Sequence, residues 1–77
     1  MSIWNTNECQ ALLGDLEQSP RRVQLHHADL ESLIAWCMDE IFELAKPSED
    51  KERKRELAAL ESRARVLLKR WKQLDRN

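Results

Sequence analysis

The chain has 77 residues, enough for one small domain, and its single Gly and two Pro leave few turn signals. With 35% charged residues, this composition favours helices over a β-sandwich. Its two cysteines do not make a disulfide framework, and its apolar stretches are shorter than the ~20 residues that cross a membrane. No secretory signal precedes the two cysteines, so we expect a reducing, cytoplasmic setting. Because the apolar stretches are short, we also expect no membrane association.

Charge divides the chain into two parts. Residues 1–50 hold three Lys/Arg against ten Asp/Glu, a net charge of −7. Residues 51–77 hold ten against four, a net charge of +6, and the two parts sum to the overall −1. We therefore expect a basic helix to fold back on an acidic one, or to pair with an acidic partner.

The first helix is predicted over residues 6–18. Asn5 followed by Glu8 reads as a capping box, and Trp4 is placed to staple the helix entry. A narrow apolar stripe has helical spacing: Cys9, Leu12, Leu13 and Leu16. Pro20 ends the helix, because the residue before a proline avoids the α conformation. Residues 19–26 are predicted to be irregular or extended.

The second helix is predicted over residues 27–46. A heptad seam comprises Leu30, Ile34, Cys37, Ile41 and Leu44, and neighbouring apolar residues widen it: Leu33, Met38, Phe42 and Ala45. The apolar arc spans about 180° of the helix surface, and Phe42 is expected in the core.

The third helix is predicted over residues 48–75. Its heptad seam comprises Leu57, Leu60, Ala64, Leu67, Trp71 and Leu74, within a narrower apolar arc of about 120°. The short connection at Pro47 makes the two long helices antiparallel neighbours. The predicted fold is all-α: a short N-terminal helix plus a long antiparallel helical hairpin, as a three-helix bundle or a dimeric helical bundle.

Aromatic and apolar side chains are the candidates for binding a partner. Trp36 lies between acidic residues and away from the seam, so the first helix covers it or a partner does. Something must also cover Trp71 and Leu74, since the third helix runs past the start of the second. Val23, Leu25 and the first helix are the candidates within the chain, and a second copy is the other. The terminal Trp4 is equally ambiguous.

Nucleic-acid binding is the alternative role for the third helix. The basic residues that would contact phosphates are Arg55, Arg63, Arg65, Lys69, Arg70 and Lys72. They are spread around the polar faces of the helix, and the sequence pI of about 6.1 is far below the value typical of nucleic-acid-binding domains. A solvated face paired with an acidic neighbour is the simpler interpretation.

No residue pattern indicates catalysis. Cys9, His26, His27 and Cys37 lack the spacing of zinc ligands, and both cysteines lie on apolar stripes, which is typical of buried thiols. The acidic residues of the second helix lack an apolar pocket that would suit acid–base chemistry. We expect no catalytic residue, no metal site and no cofactor.

The small size and the Pro-joined helical hairpin resemble the architecture of several groups of bacterial secretion co-chaperones and phage-encoded inhibitors. The resemblance implies a small all-α protein that binds another protein, and it assigns no functional residue. The sequence thus predicts a non-enzymatic protein-binding module, such as an adaptor, co-chaperone or inhibitor, that forms a homodimer. A nucleic-acid-associated regulator is the alternative.

Overall fold

The computed structural model describes residues 4–44 and 51–75, with side chains as far as residue 73. The elements are α1 (Thr6–Gln18), a 3-10 helix (Pro20–Gln24), α2 (His27–Leu44) and α3 (Lys51–Asp75). Helices account for every element in these two ranges, so the prediction of an all-α fold is confirmed. The predicted end of the second helix at 46 and start of the third at 48 lie outside the described residues.

The start of α1 is fixed by a side-chain cap. The Glu8 backbone N–H donates to Asn5 Oδ1 at 2.8 Å, which satisfies one of the N–H groups that a helix start leaves unpaired. At the other end, the Ser19 N–H donates to the carbonyl oxygens of Asp15 and Leu16. Both ends lie where Asn5 and Pro20 predict them.

Residues 20–24 form the 3-10 helix, so the prediction of an irregular or extended stretch at 19–26 is wrong there; Ser19 lies outside the helices and residues 25–26 form a turn. Arg22 N–H donates to the Ser19 carbonyl at 2.9 Å, and Leu25 N–H donates to the Arg22 carbonyl at 3.0 Å. Pro20 has the backbone angle of a first helical turn and no N–H to lose, so it favours this short helix. The 3-10 turn buries Val23 fully and leaves Leu25 80% exposed. Leu25 is therefore not a cover for the end of α3.

Helices α2 and α3 run antiparallel, as the short connection predicts. The rings of His27 and Trp71 lie 5.1 Å apart, and Arg65 approaches the Met38 sulfur at 3.6 Å. The later residue of α2 thus contacts the earlier residue of α3, as antiparallel helices require. The 3-10 helix and α1 both pack against α3.

One apolar core joins all four elements. Its buried members are Cys9, Leu13, Leu16, Val23, Leu30, Leu33, Cys37, Leu57, Leu60, Ala64 and Leu67. The α3 seam is confirmed from Leu57 to Leu67. The α2 seam is confirmed in part, because Ile34 and Ile41 are only half-buried. Phe42 is 75% exposed, so its predicted place in the core is wrong.

The exposure of Phe42 has a geometric reason. The Trp4 indole N–H donates to Ser32 Oγ, so the N-terminal segment lies on the Ser32 side of α2. Phe42 lies on the far side of the seam, one helical turn beyond Met38. Neither α1 nor the 3-10 helix therefore covers the broad apolar arc at that edge.

Candidate protein-interaction surface

The three tryptophans predicted to bind a partner lie against the chain's own core. Trp4, Trp36 and Trp71 are each half-buried and pack on it. Trp4 Nε1 donates to Ser32 Oγ at 3.0 Å, and Trp71 contacts the His27 ring. The side chain of Leu74 lies outside the described residues. Each tryptophan thus has an intramolecular packing role, and its binding of a partner stays a prediction.

Two of the four exposed large apolar side chains among the described residues lie on α2, and the other two are Leu25 and Val66. Met38 is 50% exposed and Phe42 is 75% exposed, and Ala35 is also exposed. Residues three, four and seven apart on a helix share one face. Ala35, Met38 and Phe42 therefore form one apolar strip about two turns long, which we call the outer stripe.

Basic side chains of α3 border one edge of the outer stripe. Arg65 reaches across to α2, where its guanidinium approaches the Met38 sulfur at 3.6 Å. It also pairs with Glu61 at 3.2 Å within α3, at i,i+4 spacing. Lys69 is exposed one turn further along the same face of α3. Arg65 and Lys69 form the basic border.

Acidic side chains of α2 border the other edge. Asp39 follows Met38 by 100° of helix rotation, on the side away from α3, and Glu43 lies one turn beyond it. Both are exposed. These two carboxylates form the acidic border, so the surface carries positive charge, then apolar side chains, then negative charge across its width.

Arg63 of α3 does not share this face. Arg63 turns toward α1, where its guanidinium contacts both carboxylate oxygens of Glu17, at 2.5 and 3.3 Å. Arg65 points to the opposite flank, toward α2. Two of the six basic candidates thus lie on opposite flanks of α3, and the other four are exposed: Arg55, Lys69, Arg70 and Lys72.

Charge pairing between elements is limited in the described residues. The ion pair that joins α3 to another element is Arg63 with Glu17 of α1. Arg53 also donates a hydrogen bond to Thr6 Oγ1 of α1. Within residues 4–44 and 51–75, no ion pair joins an α2 carboxylate to an α3 cation. The exposed carboxylates of α2 thus keep their charge at the surface.

The two cysteines meet inside the core. Both are free thiols with no exposed surface, one on α1 and one on α2, and their side chains are within hydrogen-bonding reach of each other. Burial, and then the neighbouring Cys9, raise the pKa of Cys37 to about 12. Burial also raises the pKa of Cys9. Neither thiol is poised as a nucleophile, because the nucleophilic form is the thiolate.

The remaining features of the described residues do not indicate a ligand site. An open cleft is lined by Trp4, Glu8, Leu12, His26 and Asp29. Among the described residues there is no group of three His, Cys, Asp or Glu side chains arranged to hold a metal ion. None of the helices in the described ranges is long and apolar enough to cross a membrane.

Sequence reasoning did not identify the outer stripe as a candidate surface, although it contained a signal for it. The predicted apolar arc of α2 was wider than the arcs of its two partners. That mismatch predicts an uncovered edge, but it does not say which edge. The position of α1 in the fold decides which edge of the α2 apolar arc is uncovered. The edge near Trp36 is covered, and the edge near Phe42 is open.

Comparison with known proteins provides no assignment. No protein-family model, no curated protein and no solved structure matches this chain. Any function must therefore be argued from the surface itself.

Proposed function

We propose that this chain is a small non-enzymatic protein-binding module that acts through the outer stripe. An adaptor, a co-chaperone and an inhibitor are the roles that such a surface suits, with a second copy of the chain among its partners and the cytoplasm as its setting. The observation that carries the proposal is the exposure of Met38 and Phe42 side by side on one rigid helix.

Physical cost supports this interpretation. Leaving a large apolar side chain in water forgoes about 1.5–3 kcal/mol relative to burying it, a substantial part of the stability of a small domain. The arrangement of an apolar strip between charged borders is also that of an interaction surface, with an apolar centre and a polar rim. Helix α2 would lie against a groove or another helix of its partner.

A matched pair of variants tests the proposal. Phe42→Glu puts a charge into the outer stripe, while Leu25→Glu makes the same change at a residue that is 80% exposed and lies beyond the other end of α2. Each is used as bait, beside the wild type, in extract of the source cell. We expect the wild type and Leu25→Glu to retain the same protein and Phe42→Glu to lose it. Equal retention by all three baits would contradict the proposal.

The alternative is a nucleic-acid-associated regulator using α3. It is favoured by the ten Lys/Arg of residues 51–77, and opposed by the pairing of Arg63 with Glu17 on the flank opposite Arg65. Binding to duplex DNA over a salt series separates the two roles, since each phosphate contact adds close to one unit to the logarithmic salt slope. A steep slope that Lys69→Gln and Arg70→Gln both reduce would favour nucleic acid over protein.

A further inference from the structure

We propose that the outer stripe binds a second copy of this chain, and that the two copies are related by a two-fold axis parallel to α2. The proposal rests on the proposed function of this surface and names its partner. It follows from the order of the three strips: the basic border, the outer stripe and the acidic border lie side by side and all run along the helices.

Symmetry then selects one orientation. When two copies meet face to face about an axis parallel to the helices, the rotation exchanges left and right. The basic border of each copy then faces the acidic border of the other, while apolar side chains face apolar side chains. An axis across the helices keeps left and right in place, so Arg65 would face Arg65 and Asp39 would face Asp39. Like charges in contact at an interface oppose that orientation.

The selected arrangement also uses the acidic surface of α2. Asp39 and Glu43 have no cationic partner among the ion pairs of the described residues. The second copy supplies Arg65, whose guanidinium lies level with Met38, to Asp39. The contact is the same patch on both copies, as a two-fold interface requires. The α2 helices run parallel, with Met38 facing Met38 and Phe42 facing Phe42.

Orientation is testable by disulfide trapping. Ala35 and Phe42 are seven residues apart, about 10 Å along α2. With parallel helices each position faces itself, so full-length Ala35→Cys and Phe42→Cys should each form a linked dimer on air oxidation. With antiparallel helices at most one position faces itself, and a mixture of the two variants would link Ala35→Cys to Phe42→Cys. The wild type controls for Cys9 and Cys37, which are buried.

Sedimentation equilibrium tests whether the dimer exists. We expect the wild type and Leu25→Glu to sediment at twice the 9.1 kDa chain mass, and Phe42→Glu to weaken association at least tenfold. A wild-type chain that stays at 9.1 kDa at high micromolar concentration would overturn the proposal. A dimer that Phe42→Glu leaves intact would also overturn the proposal. So would a dimer that forms disulfides only when Ala35→Cys and Phe42→Cys are mixed.

Failure of this inference is distinguishable from failure of the proposed function. A monomeric wild type whose capture of another protein is lost in Phe42→Glu refutes the second copy and keeps the protein-binding surface. A monomeric wild type with no capture that depends on Phe42 refutes both.

Discussion

At the scale of single residues, the two thiols are the groups whose chemistry is most altered by folding. Burial holds Cys37 and Cys9 in the neutral form, and Cys37 has a pKa of about 12. We expect iodoacetamide at about pH 8 to label both cysteines rapidly in denaturant and at least 100-fold more slowly in the native protein. The measurement is labelling followed by intact mass. Native labelling as fast as denatured labelling would contradict the burial of this pair.

The same shift makes stability depend on alkaline pH. The folded-state pKa of Cys37 is raised above its ordinary value of 9.0, so its neutral-thiol contribution is complete below that pH. It is lost as the pH rises toward about 12, because the unfolded chain releases the proton first. We expect the free energy of unfolding to fall as the pH rises from about 9 toward about 12. The fall should be smaller in Cys37→Ala, measured by denaturant titration; an equal fall would contradict the assignment.

A surface pair provides the acid-side counterpart. The Arg63 guanidinium donates hydrogen bonds to Glu17 and holds the pKa of this carboxyl below its ordinary value of 4.5. Its contribution is therefore present above that pH and is lost as the pH falls through the lowered value. Because both side chains are partly exposed, Arg63→Gln should cost no more than about 1 kcal/mol near neutral pH.

The control for this pair is Arg55→Gln, which removes the same charge from an exposed site on α3. Thermal unfolding of both variants near neutral pH and near pH 3 is the measurement. The difference between Arg63→Gln and wild type should shrink at the lower pH. A difference that is as large there, or that Arg55→Gln reproduces, would rule out the ion pair as its cause.

At the scale of elements, α1 is the least optimised helix. Gly14 lies in its interior, and a Cβ added there would meet no atom within 4 Å. Gly14→Ala should therefore stabilise the protein by about 1 kcal/mol, since alanine restricts the unfolded chain and favours the helix. Denaturant titration measures the change, and a destabilised variant would mean that this side of α1 is covered.

The hairpin seams make a graded prediction. Leu60 is 2% exposed, so Leu60→Ala should cost about 2–5 kcal/mol, as buried leucine truncations do. Ile41→Ala should cost clearly less, because Ile41 is only half-buried. The sequence alone predicts a loss of about 2–5 kcal/mol for each, because both residues lie on a heptad seam. Thermal unfolding of both variants decides, and equal losses would mean that α2 is more deeply packed along this edge than its exposure indicates.

Local signals explain which elements could be predicted. Asn5, Glu8 and Pro20 act on the backbone next to them, so the bounds of α1 follow from the sequence. The 3-10 helix could not be predicted, because Val23 and Leu25 fit an extended chain as well as a turn. Phe42 shows the same limit in packing: a helical repeat tells which residues share a face, but not whether another element covers it. The outer stripe depends on tertiary position and is therefore visible only in the fold.

At the scale of the whole molecule, the division of charge acquires a structural meaning. The −7 of residues 1–50 and the +6 of residues 51–77 meet within the chain at Glu17 and Arg63. The carboxylates of the acidic border have no such partner in the described residues. An interface that brings them against the basic border should therefore weaken with salt, since exposed charges are screened within about 8 Å at physiological ionic strength.

Hydroxyl-radical footprinting with mass spectrometry tests most directly whether a protein covers the outer stripe in solution. Met38, Phe42 and Leu25 are read from the same digest, so Leu25, at 80% exposure, is an internal reference. As the protein concentration rises through the micromolar range, modification of Met38 and Phe42 should fall while that of Leu25 stays constant. If the modification of all three residues stays constant, both with and without a captured partner, no protein covers the outer stripe and the central claim is contradicted.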